Sequence, residues 1–108
     1  MKISIIIPLF NEQESVFPLY QSIITVMNPS GLNYEIIFVD DGSDDETFER
    51  SKALASNDKN LRVLKFRKNY GQTAAMVAGI DYAKGDILLT MDGDLQNDPA
   101  DIPNFIKK

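Results

Sequence analysis

Short runs of branched apolar residues return along this chain at near-even spacing: KISIIIP at 2–8, YEIIFVD at 34–40, LRVLKF at 61–66 and DILLTMD at 86–92. Each suits a strand, is too short for an ordinary helix, and is bounded by polar residues. The first, second and fourth are almost unbroken in apolar character, the pattern of strands buried on both faces of a parallel sheet. The third alternates, with Arg62 and Lys65 interrupting it, which places it nearer a sheet edge.

Helical stretches fill the gaps. Ser15 is placed to cap a helix running to about Met27, with Pro18 in the first turn, where a missing N–H costs nothing. SDDE at 43–46 has capping-box spacing and leads into TFERSKALAS. GQTAAMVAGIDYAKG is Ala-rich and ends on Gly85, where a helix-closing glycine belongs. Gly79 inside it costs about 1 kcal/mol relative to Ala, a cost that close packing against a sheet would explain. Strand–helix–strand alternation with right-handed crossovers predicts a three-layer αβα domain around a mostly parallel, doubly wound sheet.

A chain of 108 residues is one domain at most. Its net charge of −5 argues against binding nucleic acid by neutralising phosphates, and an anionic ligand would need a local cation. With neither Cys nor His present, Ser-His-Asp and Cys-His chemistry and thiolate metal sites are excluded, and zinc is disfavoured. A metal would be held by oxygen, which favours magnesium, manganese or calcium. No apolar run approaches the ~18–20 residues of a membrane span. MKISIIIPLF is broken by Pro8 and the following NEQE without a small-residue cleavage site, so it is not read as a signal peptide.

In open α/β sheets ligands bind beyond the carboxyl ends of the strands. There this chain places Pro8-Leu9-Phe10-Asn11-Glu12, then Asp40-Asp41-Gly42-Ser43, then Arg67-Lys68-Asn69-Tyr70-Gly71, then Asp92-Gly93-Asp94-Leu95-Gln96. Asp-Gly-Ser also makes a good turn and helix cap, so the second of these has a purely structural reading. Asp92-x-Asp94 at the end of an apolar strand suits a divalent cation held by carboxylates together with substrate phosphates. Neither Gly-x-Gly-x-x-Gly nor Gly-x-x-x-x-Gly-Lys-Ser/Thr occurs, which argues against dinucleotide and P-loop folds.

Taken in order, SIIIPLFNEQES, EIIFVDDGSDDET and FRKNYGQTAAMVAGIDYAKGDILLTMDGDLQNDP resemble the family 2 glycosyltransferases, whose catalytic domain is the Rossmann-like nucleotide-diphosphosugar transferase fold. The Asp-x-Asp-Leu-Gln wording and RKNYGQTAA are similar to the branch that moves sugars onto polyprenyl phosphates, such as dolichyl-phosphate mannosyltransferases and bactoprenol glucosyltransferases. The resemblance implies that Pro8, Phe10, Glu12, Val39 and Asp41 line the nucleoside pocket, with Asp40 and Gly93 beside it. Phe10 stands where relatives often carry Tyr; stacking survives the change but a hydroxyl contact does not. Asp92, Asp94 and Gln96 would hold Mg²⁺ or Mn²⁺ against the diphosphate of a UDP- or GDP-linked sugar. Arg67 is a candidate phosphate contact, and Lys68 shares that reading, with a solvated basic turn as its alternative. Asp44, Asp45 and Asp98 read as caps or surface residues.

The resemblance also puts the catalytic base and acceptor site beyond Lys108. Residues 1–108 are therefore expected to be the N-terminal, donor-binding part of a truncated catalytic domain, inactive alone and prone to self-associate at an open strand edge. The expected setting is cytoplasmic, the full-length protein lying at the cytoplasmic membrane face with a lipid phosphate acceptor. Two other classes remain: a non-catalytic nucleotide-binding module, and a magnesium-dependent receiver domain, whose acidic pair should follow the first strand rather than the second.

Overall fold

The computed structural model describes residues 1–91. Within them the order is β1 (Lys2–Leu9), α1 (Val16–Ser30), β2 (Asn33–Asp40), α2 (Thr47–Ala55), β3 (Leu61–Lys65), α3 (Gln72–Tyr82) and β4 (Ile87–Thr90). All three strand pairings are parallel, in the order β3-β2-β1-β4. The chain winds outward from β1 to β3, then returns past its start to lay β4 against the other side of β1. Strand order therefore reverses between β1 and β4, and the cleft beyond their carboxyl ends is where such sheets bind ligands.

Alternation along the strands sorts the core into two layers. Ile3, Ile5, Ile7 and Leu9 of β1 and Ile36 and Phe38 of β2 pack against Val16, Leu19, Ile23 and Met27 of α1. Ile6, Ile37 and Val39 point the other way, against Ala75 of α3. The helices of the outward winding and the helix of the return thus lie on opposite faces, as right-handed crossovers require. β1 and β2 are buried along almost their whole length, as their apolar runs predict.

Gly79 explains the close approach of α3. A Cβ built there would lie 2.4 Å from Ile6 Cγ2 and 3.2 Å from Val39 Cγ2, so only glycine lets the helix sit this low on the sheet. Gly85, by contrast, does not close α3, which ends at Tyr82 with Ala83 extended. Its role is contact with β1: a Cβ would meet Ser4 Oγ at 2.5 Å and the Lys2 carbonyl at 2.8 Å. There the Gly85 N–H donates to Ser4 Oγ (2.9 Å), and the Ser4 hydroxyl (2.6 Å) and the Lys84 N–H (2.8 Å) both donate to Glu35.

Three further expectations need adjustment. Helix α1 runs on through Pro29 to Ser30 and is closed by Gly31 at φ 74°. The capping box is not formed: α2 begins at Thr47, whose N–H is taken by Asp45 (2.9 Å), while Ser43 is engaged elsewhere. Strand β4 is half-buried rather than enclosed. It is an edge of the described sheet, and Leu88 is 43% exposed on the α3 side.

Candidate functional site

A residue with no N–H to give lies beside the switch point. Even-numbered residues of β1 bond toward β4, as the Met91 N–H does to the Ile6 carbonyl (3.0 Å), and the paired register ends at Ile6 opposite Thr90. Pro8 is the next residue facing that way, and it has no N–H to donate to a neighbouring strand. On its other side β1 stays paired through Pro8–Val39 and Leu9–Asp40. The sequence-predicted Pro8 and Val39 are thus buried neighbours near the carboxyl end of the sheet, the Val39 side chain packing toward α3, and Phe10 just beyond β1 is 42% exposed.

The β1–α1 and β2–α2 loops are laced together. The Asn11 N–H donates to Ser43 Oγ (2.9 Å), and Asn11 Oδ1 accepts from the Asp44 N–H (2.8 Å). The Glu12 N–H donates to Thr47 Oγ1 (2.9 Å) and the Gln13 N–H to Asp45 (3.3 Å). Gln13 Oε1 accepts from the Glu46 N–H (3.0 Å), and its carbonyl from the Arg50 guanidinium (3.0 Å). Asn11 adopts φ 52°, a left-handed conformation that Asn tolerates better than most residues. With its N–H held by Thr47 and its carbonyl by the N–H groups of Ser15 and Val16, Glu12 has a fixed backbone. Its carboxylate has no partner among the described residues. Asp45 accepts from the N–H of Thr47, the first residue of α2, while the N-cap position itself is Glu46, without a side-chain cap.

Two adjacent carboxylates at the end of β2 have opposite fates. Asp41, 3% exposed, accepts from the Tyr70 N–H (2.8 Å), the Gly71 N–H (3.0 Å) and Asn69 Nδ2 (3.0 Å). Asp40, 1% exposed, has one long contact from the Ser43 N–H (3.4 Å), and its Oδ2 has no partner among the described residues. Burial pushes the Asp40 carboxyl above the usual carboxylate range, against the pull of Ser43 and the charge of Lys65. A buried acceptor left without a partner costs stability, which sets Asp40 apart from the satisfied Asp41 beside it.

Arg67 and Lys68 lie on the exposed turn after β3 and form no ion pair among the described residues; Lys68 Nζ stands 5.4 Å from the Tyr70 ring centroid. Met91 is buried at the end of β4. The sequence-predicted Asp92, Gly93, Asp94, Gln96 and Asp98 fall outside the described residues, as does the acceptor half expected beyond Lys108. Among the described residues no group of three or more His, Cys, Asp or Glu side chains could hold a metal ion. No described helix is long and apolar enough to cross a membrane.

Known proteins share this architecture and wording. Of solved structures, S. aureus TarS 1–349 superposes with a TM-score of 0.76 at 28% identity, over 87% of this chain and 28% of that one. The mannosyltransferase PcManGT of Pyrobaculum calidifontis gives 0.76 at 22% identity, over 85% and 27%, a likeness of fold alone. The dodecaprenyl-phosphate galacturonate synthase of Rhizobium johnstonii is 43% identical over 109 residues, spanning 100% of this chain and 32% of that protein. The undecaprenyl-phosphate 4-deoxy-4-formamido-L-arabinose transferase of Salmonella typhimurium is 40% identical over 108 residues, 99% of this chain and 33% of that protein. The chain spans about a third of the length of these curated relatives. The model described as Glycosyl transferase family 2 matches residues 4–108, from the first buried strand through the acidic segment after the last, and the chain belongs to that family.

Proposed function

We propose that residues 1–108 are the donor-binding part of a metal-dependent glycosyltransferase that moves a sugar from a nucleotide diphosphate to a polyprenyl phosphate. The observation that carries the reading is the buried Asp40 Oδ2, without a partner among the described residues, at the carboxyl end of β2 in a parallel sheet. Uracil and guanine both present a ring N–H that such an oxygen accepts. Pro8 and Val39 line the nucleoside pocket, Phe10 offers a face for stacking, and the Glu12 carboxylate is free to bond the ribose. Gly93 lets the backbone approach the ligand.

Asp92, Asp94 and Gln96, following Met91 beside the cleft, are a hard oxygen set that fits Mg²⁺ or Mn²⁺. Bound there, the ion would neutralise the repulsion between the diphosphate and these carboxylates and stabilise the departing nucleoside diphosphate. TarS has been solved with UDP and with UDP-GlcNAc, and PcManGT with GDP-Man and Mn²⁺, which supports a nucleotide-sugar and divalent-metal reading. The lipid acceptor rests on the names of the curated relatives. With such an acceptor, the full-length protein would work at the cytoplasmic face of a membrane.

Titration calorimetry of UDP and GDP, each with Mn²⁺ and with EDTA, tests this. Binding of one nucleotide that requires metal and is lost in Asp94→Ala supports the reading and names the base. Failure of both nucleotides to bind the full-length protein overturns it. Sugar transfer by the 108-residue chain alone would overturn the assignment of these residues as a donor half.

A further inference from the structure

Three successive amides of the β1–α1 loop are taken by three side chains of the β2–α2 loop. The Asn11 N–H donates to Ser43 Oγ (2.9 Å), the Glu12 N–H to Thr47 Oγ1 (2.9 Å) and the Gln13 N–H to Asp45 Oδ2 (3.3 Å). A loop whose consecutive N–H groups are each held this way has its backbone path set from outside itself.

Thr47 stands at the centre of the arrangement. It is fully buried, and its hydroxyl works in both directions, accepting from Glu12 and donating to Asp45 Oδ1. The same Asp45 oxygen takes the Thr47 N–H (2.9 Å), an amide that the first turn of α2 cannot pair within the helix. Asp45 is thereby clamped to the start of α2 through one oxygen and to Gln13 through the other. A valine at 47 would match the shape of the threonine but leave the Glu12 N–H without an acceptor.

The residue held most firmly is the one whose side chain is left over. Glu12 has its N–H on Thr47 and its carbonyl on the N–H groups of Ser15 (2.9 Å) and Val16 (3.1 Å). Its half-buried carboxylate nevertheless has no partner among the described residues. A fixed main chain beneath an uncommitted acid, just beyond the carboxyl end of β1, meets a ligand without an ordering cost on binding. We propose that Thr47 and Asp45 are positioning residues for donor binding, acting on the nucleotide through Glu12, whose carboxylate they aim at the nucleoside. This rests on the donor-site reading above.

A double-mutant cycle separates that role from a structural one. In the full-length protein with Mn²⁺, UDP and GDP are titrated into wild type, Thr47→Val, Thr47→Ser, Glu12→Ala and Thr47→Val/Glu12→Ala. For the nucleotide that wild type binds, Thr47→Val and Glu12→Ala should each weaken affinity roughly tenfold, the scale of one lost charge-assisted contact. The double variant should bind within about twofold of Glu12→Ala, because Thr47 then has nothing left to aim. Thr47→Ser keeps the hydroxyl and should stay within about twofold of wild type. Three results each overturn the proposal: an additive loss of about a hundredfold in the double variant, unchanged binding in Glu12→Ala, or Thr47→Ser as weak as Thr47→Val. Should Thr47→Val fail to fold, Asp45→Asn removes an acceptor from the same clamp and leaves Thr47 in place. Its cycle with Glu12→Ala carries the same expectations.

Amide exchange of the ligand-free protein reads the clamp directly. The Glu12 and Gln13 N–H groups should be protected in wild type and exchange faster in Thr47→Val. If they stay protected in the variant, the clamp is overturned whatever binds. If wild type binds neither nucleotide, the donor-site reading is what fails, and the positioning role falls with it.

Discussion

Asp40 and Asp41 are neighbours in sequence, equally buried, and opposite in chemistry. Asp41 is satisfied three times over from the β3–α3 turn, whereas Asp40 keeps an oxygen with no partner among the described residues. Because burial raises the Asp40 carboxyl, the folded state holds that proton more tightly than the unfolded chain does. The stability this confers is present below the unfolded value of about 3.9 and is lost as pH rises through the folded one, leaving a cost at neutral pH. Asp40→Asn should therefore raise the unfolding free energy at pH 7, read from urea titration, by on the order of 1 kcal/mol, with the gain vanishing in acid, while nucleotide affinity falls. A loss of stability at pH 7 would show that the carboxylate is paired after all. That an acidic pair sat at this strand end was legible in the residues themselves. Which member was free was not, because the answer lies with Asn69, Tyr70 and Gly71, 28 to 30 positions downstream.

Strands and helices were the most readable level, because apolar periodicity is local and the sheet only enforces it. Two of the misreadings share one cause, a partner far along the chain. Ser43 does not cap α2 because Asn11 uses it, and the first N–H of α2 goes to Asp45 instead. Gly85 does not close α3 because it serves the Ser4–Glu35 contact. That contact ties β1, β2 and the α3–β4 link through one buried carboxylate. Burial alone would raise Glu35, but the Ser4 hydroxyl, the Lys84 N–H and the charges of Lys2 and Arg62 outweigh it and hold the group below its ordinary value. Its stabilisation is present above the unfolded pKa of about 4.3 and disappears as pH falls through the folded value. Glu35→Gln should cost about 1–3 kcal/mol at pH 7 by urea unfolding, and that gap should close in acid. At the α3–sheet contact, Gly79→Ala gains about 1 kcal/mol of helix propensity but forces a methyl to within 2.4 Å of Ile6. Overpacking of roughly 1–3 kcal/mol should win, so the melting temperature falls rather than rises.

At the scale of the whole molecule, one side of the described residues is apolar and exposed. Val77, Ile80 and Tyr82 of α3 are exposed, and Leu88 of β4 faces the same side from the edge of the described sheet. An uncovered edge with an apolar flank invites pairing with another copy. Sedimentation of the 108-residue chain should show concentration-dependent association that Leu88→Lys reduces, and a monomer at all concentrations would contradict this. The opposite side is self-contained, and its two laced loops carry a lesson for building variants. Residues 10–13 and 43–50 hold each other through bonds that span 32 to 37 positions, so neither loop is a module. Grafting one of them from a relative with a different donor would import half of each pair and strand the other half. A chimera that exchanges both together keeps the lacing intact, and substrate preference in this scaffold should be transplantable only in that coupled form.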